Sequence, residues 1–156
     1  MEYLTFRLDG DEFAVDVLKS REIVDLKSVT KVPQSPDFML GVINLRGSVV
    51  PVIDLRLKFG MGKTEATQST SIVVMDVKVA DETVIVGAMV DSVEEVLQLA
   101  DENIEPAPRI GTRLNTEFIK GMGKQNDNFV IILDIDRVFS TDELLVTQEL
   151  AEPVTA

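Results

Sequence analysis

The sequence predicts an all-β protein: two pseudo-symmetric small β-barrels of about five strands each, packed around a shared hydrophobic core, with a short C-terminal helix. Three observations lead to this prediction: short alternating apolar runs, turn residues between those runs, and an internal repeat. The chain has 156 residues, of which 45% are apolar and 27% charged. It is therefore long enough for one domain or two small subdomains.

The first half of the chain contains short strands separated by turn residues. Residues 3–8 alternate loosely and end at Asp9-Gly10, which favours a two-residue hairpin because glycine accepts a positive φ. Residues 13–17 place their apolar side chains on one face, as in a half-buried strand. Pro51 lies inside a later apolar run. Because proline cannot donate a ladder hydrogen bond, that strand is expected at a sheet edge or with a bulge. Strands are also predicted at 22–26, 42–45 and 49–55.

The second half begins after a small, polar stretch at 60–71 that indicates an exposed loop. A second hairpin and two further strands are predicted at 71–79, 83–90, 93–99 and 129–135. Ser140-Thr141-Asp142-Glu143 fits a capping box and predicts a C-terminal helix over 141–152.

An internal repeat relates the two halves. At an offset of 80, four aromatic, glycine and aspartate positions coincide: Phe38 with Phe118, Gly41 with Gly121, Asp54 with Asp134, and Phe59 with Phe139. Upstream the offset is 73, which places Glu22-Ile23 on Glu95-Val96. As an open sheet, each unit would expose two edges, whereas closure into a barrel removes them. The recurrence of Asp54 and Asp134 indicates a structural role at a strand end or turn.

The whole chain, 1–156, is expected to form a single domain. The first barrel is placed at about 15–65 and the second at 80–140, with the N-terminal strand and residues 66–79 contributing between them.

Composition argues against several classes of function. The chain has no cysteine and no histidine, which removes thiolate chemistry, cysteine metal sites and the commonest general base. The net charge of −12 disfavours nucleic acid and anionic membranes as partners. No apolar run reaches the roughly 18–20 residues needed to cross a bilayer, so a cytoplasmic protein without membrane insertion is expected. No cofactor and no catalytic residue is predicted.

A carboxylate-dependent hydrolase is the enzymatic alternative. The acidic groups at residues 9–12 and 101–102 could supply its carboxylates. They lie at turns without converging basic or aromatic groups, so solvated turn charges explain them better.

The motif at 41–47 is where the two copies differ. Asn44-Leu45-Arg46-Gly47 in the first copy corresponds to 124–127, Lys-Gln-Asn-Asp, in the second. Arg46 either pairs with an acidic neighbour or offers its planar donors to a partner's carboxylate or carbonyl. Gly41 is either a backbone position that needs room or part of a binding surface. Glu22 is either a solvated strand residue or a binding residue.

The motif resembles a family signature. Gly41-Val42-Ile43-Asn44-Leu45-Arg46-Gly47, followed by Val50-Pro51-Val52-Ile53-Asp54-Leu55-Arg56, is similar to the signature of the CheW family of bacterial chemotaxis coupling proteins. The resemblance extends over about 3–139. It implies two five-stranded barrels and a non-enzymatic scaffold that couples methyl-accepting chemoreceptors to the histidine kinase CheA in signalling arrays.

The resemblance also implies how the partners are bound. The cytoplasmic tip of the receptor would contact a groove between the barrels, and the regulatory domain of the kinase would contact a barrel directly. Glu22, Gly41, Asn44 and Arg46 are the implied partner-binding residues. One departure is Ser20, where relatives often carry an aliphatic residue. The alternatives are a CheW-like docking module of another two-component pathway and a fragment of a larger signalling protein.

Overall fold

The computed structural model describes residues 1–26, 29–33, 37–79, 81–106, 116–125 and 127–139. Within them the strands are β1 (Glu2–Leu8), β2 (Asp11–Asp16), β3 (Ser20–Asp25), β4 (Met39–Leu45), β5 (Ser48–Asp54), β6 (Ser71–Val79), β7 (Glu82–Val90), β8 (Ser92–Gln98), β9 (Ile104–Glu105), β10 (Ile119–Gln125) and β11 (Asn128–Leu133). The α-helices are α1 (Leu55–Lys58) and α2 (Ile135–Val138). Short 3-10 turns occupy Val17–Lys19, Asp101–Asn103 and Thr116–Phe118.

The strands form two curled sheets. The first sheet has the order β3-β6-β7-β5-β4 and the second the order β8-β1-β2-β11-β10-β9. The prediction of an all-β fold with two small pseudo-symmetric barrel-like units around a shared core is confirmed. The second sheet has one strand more than predicted, the two-residue β9. The helix predicted over 141–152 lies outside the described residues.

Three apolar clusters hold these sheets together in the described part of the chain. One cluster lies within the first sheet and includes Ile43, Val52 and Ile72. A second lies within the other sheet and includes Tyr3 and Val130. The largest draws residues from both sheets and is the shared core; its larger side chains include Phe6, Phe13, Ile53, Leu55, Met75 and Phe139. Burial of this shared core is the main force joining the two units.

The internal repeat is visible in backbone geometry. The β4–β5 ladder shifts register between Met39 and Gly41, and the β10–β11 ladder shifts between Ile119 and Gly121. The amide of Asp54 donates to the carbonyl of Phe38 at 2.8 Å, and the amide of Asp134 donates to the carbonyl of Phe118 at 2.8 Å. These equivalences hold at the offset of 80 that the sequence shows.

The two repeats exchange their first hairpins. Val52 on β5 pairs in parallel with Gly87 on β7, while Ile132 on β11 pairs in parallel with Ala14 on β2. These pairs are related by the two sequence offsets, 80 and 73, so β1–β2 and β6–β7 are equivalent hairpins. Each hairpin joins the sheet of the other repeat. Sheet membership therefore cuts across the ranges 15–65 and 80–140 that the sequence suggested for the barrels.

Pro51 shows why one local expectation was wrong. Its strand, β5, lies between β7 and β4 and is not a sheet edge, and the register shift is elsewhere. Opposite Pro51, Val42 exchanges its backbone hydrogen bonds with Thr30, both at 2.9 Å. Val42 and Pro51 thus form a non-hydrogen-bonded pair, and the ladder to β7 starts only at Val52. The missing amide proton of Pro51 therefore costs no ladder hydrogen bond.

The two strands predicted to end at Leu55 and Ile135 are also shorter than expected. They end at Asp54 and Leu133, because α1 begins at Leu55 and α2, after its N-cap Asp134, begins at Ile135.

Candidate functional site: the first-barrel edge

The β4–β5 turn holds Arg46 away from the body of the protein. Arg46 and Gly47 both have positive φ, at 52° and 86°, as the central residues of a type I′ hairpin turn do. The side-chain oxygen of Asn44 accepts a hydrogen bond of 2.8 Å from the amide of Gly47. The side chain of Arg46 is 77% exposed. Asn44 and Gly47 therefore fix a turn that presents the guanidinium to solvent.

Arg46 and Glu22 meet across the open side of the first sheet. The Nη2 of Arg46 donates to the Oε2 of Glu22 at 2.6 Å. Glu22 lies on β3 and Arg46 follows β4, and these are the two edge strands of that sheet. The other carboxylate oxygen of Glu22 is buried and has no hydrogen-bond partner among the described residues. We refer to Glu22, Asn44 and Arg46 as the first-barrel edge.

The structure is consistent with both interpretations of Arg46, as the partner of an acidic neighbour and as a donor to another protein. It does pair with an acidic neighbour, Glu22, and an ion pair with so exposed an arginine adds little to stability. Nε and Nη1 of Arg46 make no hydrogen bond within the described residues. A planar donor group held in one orientation by a carboxylate is well suited to bind a further acceptor.

Gly41 lies beneath this edge and not on it. It is buried, with φ at 151°. A Cβ atom there would overlap the carbonyl oxygen of Thr30 and the side chain of Val29. Gly41 thus permits the close approach of residues 29–30 to β4, which brings Thr30 into its bridge with Val42.

The edge also carries apolar surface. Ile23, next to Glu22, is 47% exposed, and Val49, which lies opposite Asn44 in the β4–β5 ladder, is 44% exposed. Ser20 is half-buried, and its hydroxyl donates to the carbonyl of Val17 at 2.8 Å. Ser20 therefore closes the turn before β3.

The second barrel lacks an equivalent ion pair in its described residues. Glu95 corresponds to Glu22, but its carboxylate has no hydrogen-bond partner there. Its backbone instead exchanges hydrogen bonds of 2.8 and 3.0 Å with the buried hydroxyl of Thr5. The position equivalent to Arg46 is an asparagine outside the described residues.

Catalytic chemistry finds no support in the acidic groups that the sequence singled out. Asp9 lies near Arg56, and Glu12 lies near Arg7. No group of three or more acidic side chains that could hold a metal ion occurs in the described ranges. In those same ranges, no helix is both long and apolar enough to span a membrane.

The family model of the CheW-like domain matches residues 2–143 of this chain. The chain belongs to the CheW family. It is 36% identical to a chemotaxis protein CheW from Klebsiella aerogenes over 97% of this chain and 89% of the relative. It is 32% identical to a chemotaxis protein CheW from Bacillus subtilis over 89% of this chain and 86% of the relative. A crystal structure of the scaffolding protein TtCheW from Thermoanaerobacter tengcongensis has a TM-score of 0.80 and 32% identity, with coverage of 91% of this chain and 89% of that one.

CheW-family membership gives the general function. The chain is a non-enzymatic chemotaxis adaptor, a scaffold that couples chemoreceptors with the kinase CheA. A docking role in another two-component pathway is not favoured, because relatives at 34–36% identity are chemotaxis proteins.

The sequence reasoning missed the exposed apolar residues. Ile23 and Val96 are related by the offset of 73, and both are exposed, at 47% and 51%. Val49 and Phe129 are related by the offset of 80, and both are exposed, at 44% and 47%. The internal repeat could have revealed these exposed residues. Apolar residues recur in both copies at positions where the alternation of the strand places the side chain outside the barrel. Both barrels thus present exposed apolar side chains at equivalent places.

Proposed function

We propose that this chain couples the cytoplasmic tip of chemoreceptors to the regulatory domain of CheA, with the two partners on different faces of the two barrels. In this proposal it acts in the cytoplasm, within receptor arrays at the inner membrane, and binds no nucleic acid. Joining two partners on one scaffold raises their effective concentration and fixes their geometry. No chemical step by the adaptor is needed.

The pair of Glu22 with the exposed Arg46 is the observation that carries the proposal. The pair is specific to the first barrel within the described residues, whereas the apolar surface around it recurs in the second barrel. The common apolar surface supports contact by both barrels. The unique guanidinium supports a different partner for each barrel, because it adds a directed hydrogen-bond donor to the first barrel alone.

Each residue of the predicted set has a distinct part in this proposal. Arg46 contacts the partner through the donors that Glu22 does not use. Glu22 orients the guanidinium, and Asn44 holds the turn that presents it. Gly41 acts indirectly, because it permits the backbone packing on which the edge is built.

Replacing Arg46 with alanine tests the proposal. We expect the fold to remain, with a loss of stability below about 1 kcal/mol, because the ion pair is exposed. We expect binding to weaken by about tenfold or more, as at an arginine hot spot, and chemotactic swarming to be lost. Urea denaturation, and titration with a receptor-tip fragment and a CheA fragment in separate experiments, measure these effects.

Arg137→Ala is the matched control, because that side chain is 68% exposed and also pairs with an acidic neighbour, Asp134. It should retain both binding and swarming. Unfolding of the Arg46→Ala protein would instead assign Arg46 a structural role. Failure of the unaltered protein to bind either fragment at low and moderate salt would refute the two-partner function.

A further inference from the structure

The second residues of α1 and α2, Arg56 and Asp136, are equivalent and have opposite charges. They are related by the offset of 80 and follow the equivalent residues Asp54 and Asp134 by two positions. Each helix is four residues long and directly follows a central strand of its repeat. The sequence alone gives no reason for a cation in one copy and an anion in the other.

Arg56 lies between two aspartates. Its guanidinium is 18% exposed and lies 3.6 Å from a carboxylate oxygen of Asp9 and 3.4 Å from one of Asp91. The amide of Asp9 also donates to Asp91 at 2.7 Å. Asp9 is at the tip of the β1–β2 hairpin. Asp91 is where the chain crosses from the first sheet to the second, between β7 and β8. We call these three residues the Arg56 cluster.

Asp136 lies at the equivalent place and binds donors. One carboxylate oxygen accepts from the Nζ of Lys19 at 2.8 Å, and the other accepts from the amide of Lys78 at 2.8 Å. Lys19 is where the chain crosses from the second sheet to the first, between β2 and β3. Lys78 is near the tip of the β6–β7 hairpin. We call these three residues the Asp136 cluster.

The two clusters therefore have the same architecture and reversed charge. In each cluster, one helix residue contacts two other parts of the chain. The first is the crossover that follows the hairpin in the same sheet as the helix's preceding strand. The second is the tip of the hairpin in the other sheet. Which charged groups meet in each cluster depends on which hairpin pairs with each repeat. Because β1–β2 and β6–β7 are equivalent, each repeat could in principle keep its own hairpin, an order we call unexchanged.

In the unexchanged order, Arg56 would lie beside different groups from those it contacts in the observed fold. The hairpin of its own sheet would then be β1–β2, so the crossover at α1 would be the one that carries Lys19. The opposing hairpin tip would be that of β6–β7, which carries Asp81 and Glu82 beside the amide of Lys78. At the crossover, a guanidinium would face an ammonium instead of the carboxylate of Asp91, which is unfavourable.

Asp136 would meet like charges in that same order. Its crossover would carry Asp91, and its opposing hairpin tip would carry Asp9. Three carboxylates would then lie together without a cation among them. The two crossover ion pairs of the observed fold, Arg56 with Asp91 and Asp136 with Lys19, would be replaced by the like-charged contacts Arg56 with Lys19 and Asp136 with Asp91.

We propose that the opposite charges of Arg56 and Asp136 determine which hairpin each half of the chain pairs with, and so select the exchanged fold over the unexchanged one. At the parallel strand pairs, the two hairpins contribute small residues in both sheets, Gly87 in one and Ala14 in the other. The charges supply the difference in free energy between the two orders by penalising one of them.

A double substitution that keeps composition and net charge tests this proposal. In Arg56→Asp with Asp136→Arg, both clusters become like-charged in the exchanged order. Strand pairing can be reported by Asp25→Cys with Ser71→Cys, since these residues lie opposite each other in the β3–β6 ladder and the chain has no other cysteine. We expect near-complete disulfide formation in the parent and a clear loss of yield in the double variant. Tm should fall by about 2–4 °C for each cluster that becomes repulsive.

Lys124→Asp with Asp101→Lys is the matched control, because it also exchanges a cation and a carboxylate and keeps the net charge, at exposed positions that lie outside both clusters. It should keep the disulfide yield and Tm of the parent. Equal yield and Tm in the Arg56/Asp136 variant and this control would overturn the proposal.

Single-cluster variants decide the matter if the double variant does not fold. Asp136→Arg should lower Tm more than Asp136→Asn, and adding Lys19→Asp to Asp136→Arg should restore part of the loss. Asparagine keeps an acceptor for the Lys78 amide but carries no charge. Equal losses in the arginine and asparagine variants, or no rescue by Lys19→Asp, would therefore overturn the role of charge.

Discussion

Gly41 and Arg46 belong to one motif but differ in what surrounds them. Gly41 is buried against the backbone of Thr30, whereas the Arg46 side chain lies mostly in solvent. Sequence reasoning left both positions open between structure and binding. The structure gives Gly41 a packing role that needs no partner, and it leaves Arg46 with unused donors. The motif is thus a backbone requirement followed by an exposed functional group.

Replacing Gly41 with alanine should destabilise the protein strongly. The added methyl group would overlap a carbonyl oxygen that is held in the Thr30–Val42 bridge, so the bridge would have to open. We expect a loss of roughly 2–4 kcal/mol, from overpacking together with backbone strain at positive φ. Urea denaturation measures it.

Gly10→Ala is the control for backbone strain alone. Gly10 also has positive φ, at 86°, but a Cβ there has open space around it. It should lose only about 1–2 kcal/mol. Similar losses at the two positions would show that contact with Thr30 is not what requires Gly41.

At the scale of elements, the two helix-initiating aspartates are equivalent in sequence and unequal in structure. Asp54 is 2% exposed and accepts from the amide of Leu57 at 3.3 Å and from the amide and hydroxyl of Thr64 at 3.0 and 2.6 Å. Asp134 caps α2 without a side-chain hydrogen bond and lies 3.6 Å from Arg137. The structural role predicted for Asp54, at a strand end, is therefore supported by its contacts. Asp134 holds the same backbone position with fewer contacts.

Alanine at these two positions should separate their contributions. Asp54→Ala removes a buried carboxylate and leaves the Thr64 amide and hydroxyl unpaired, for an expected loss of roughly 2–4 kcal/mol. Asp134→Ala should lose less than about 1 kcal/mol, since its one ion pair is exposed. Each variant serves as the other's control in urea denaturation. Equal losses would mean that the Thr64 contacts contribute nothing.

The sequence predicted local features better than strand partners. The Asp9-Gly10 turn has the positive φ values expected, 51° and 86°, and the repeat positions coincide in backbone hydrogen bonding. The exchange of hairpins was not predicted, because alternation shows which face of a strand is buried but not which strand lies beside it. The Glu22–Arg46 contact was not predicted as a pair for the same reason, since it depends on how the two sheet edges meet. The site assignment itself came from resemblance and remains a prediction.

At the scale of the whole molecule, neither repeat contains a complete sheet. A break in the loop between β5 and β6 would separate residues 1–65 from 66–156. The first fragment would hold only β1–β5, so the first sheet would lose β6 and β7 and the second would keep only one hairpin. Each fragment would therefore leave much of its apolar surface in water.

We expect each fragment to be unfolded alone and the mixture to regain native structure. Far-UV circular dichroism and size-exclusion chromatography of the separate and mixed fragments measure this. A full-length protein that is folded first and then cut at a protease site in the same loop is the control, and it should stay assembled. Cooperative urea unfolding by the first fragment alone would contradict this prediction and would show that β1–β5 can form a sheet in the unexchanged order.

The two crossovers at Lys19 and Asp91 also affect how the adaptor transmits motion. The described chain passes between the sheets at both places, and each passage is held by a helix residue. A twist of one barrel against the other would have to distort two covalent connections and two ion-pair clusters at once. The molecule should therefore lack a soft internal hinge, and a partner that rotates one barrel would turn the other by the same angle. We therefore expect an adaptor of this design to pass on the orientation of a receptor to the kinase instead of absorbing it.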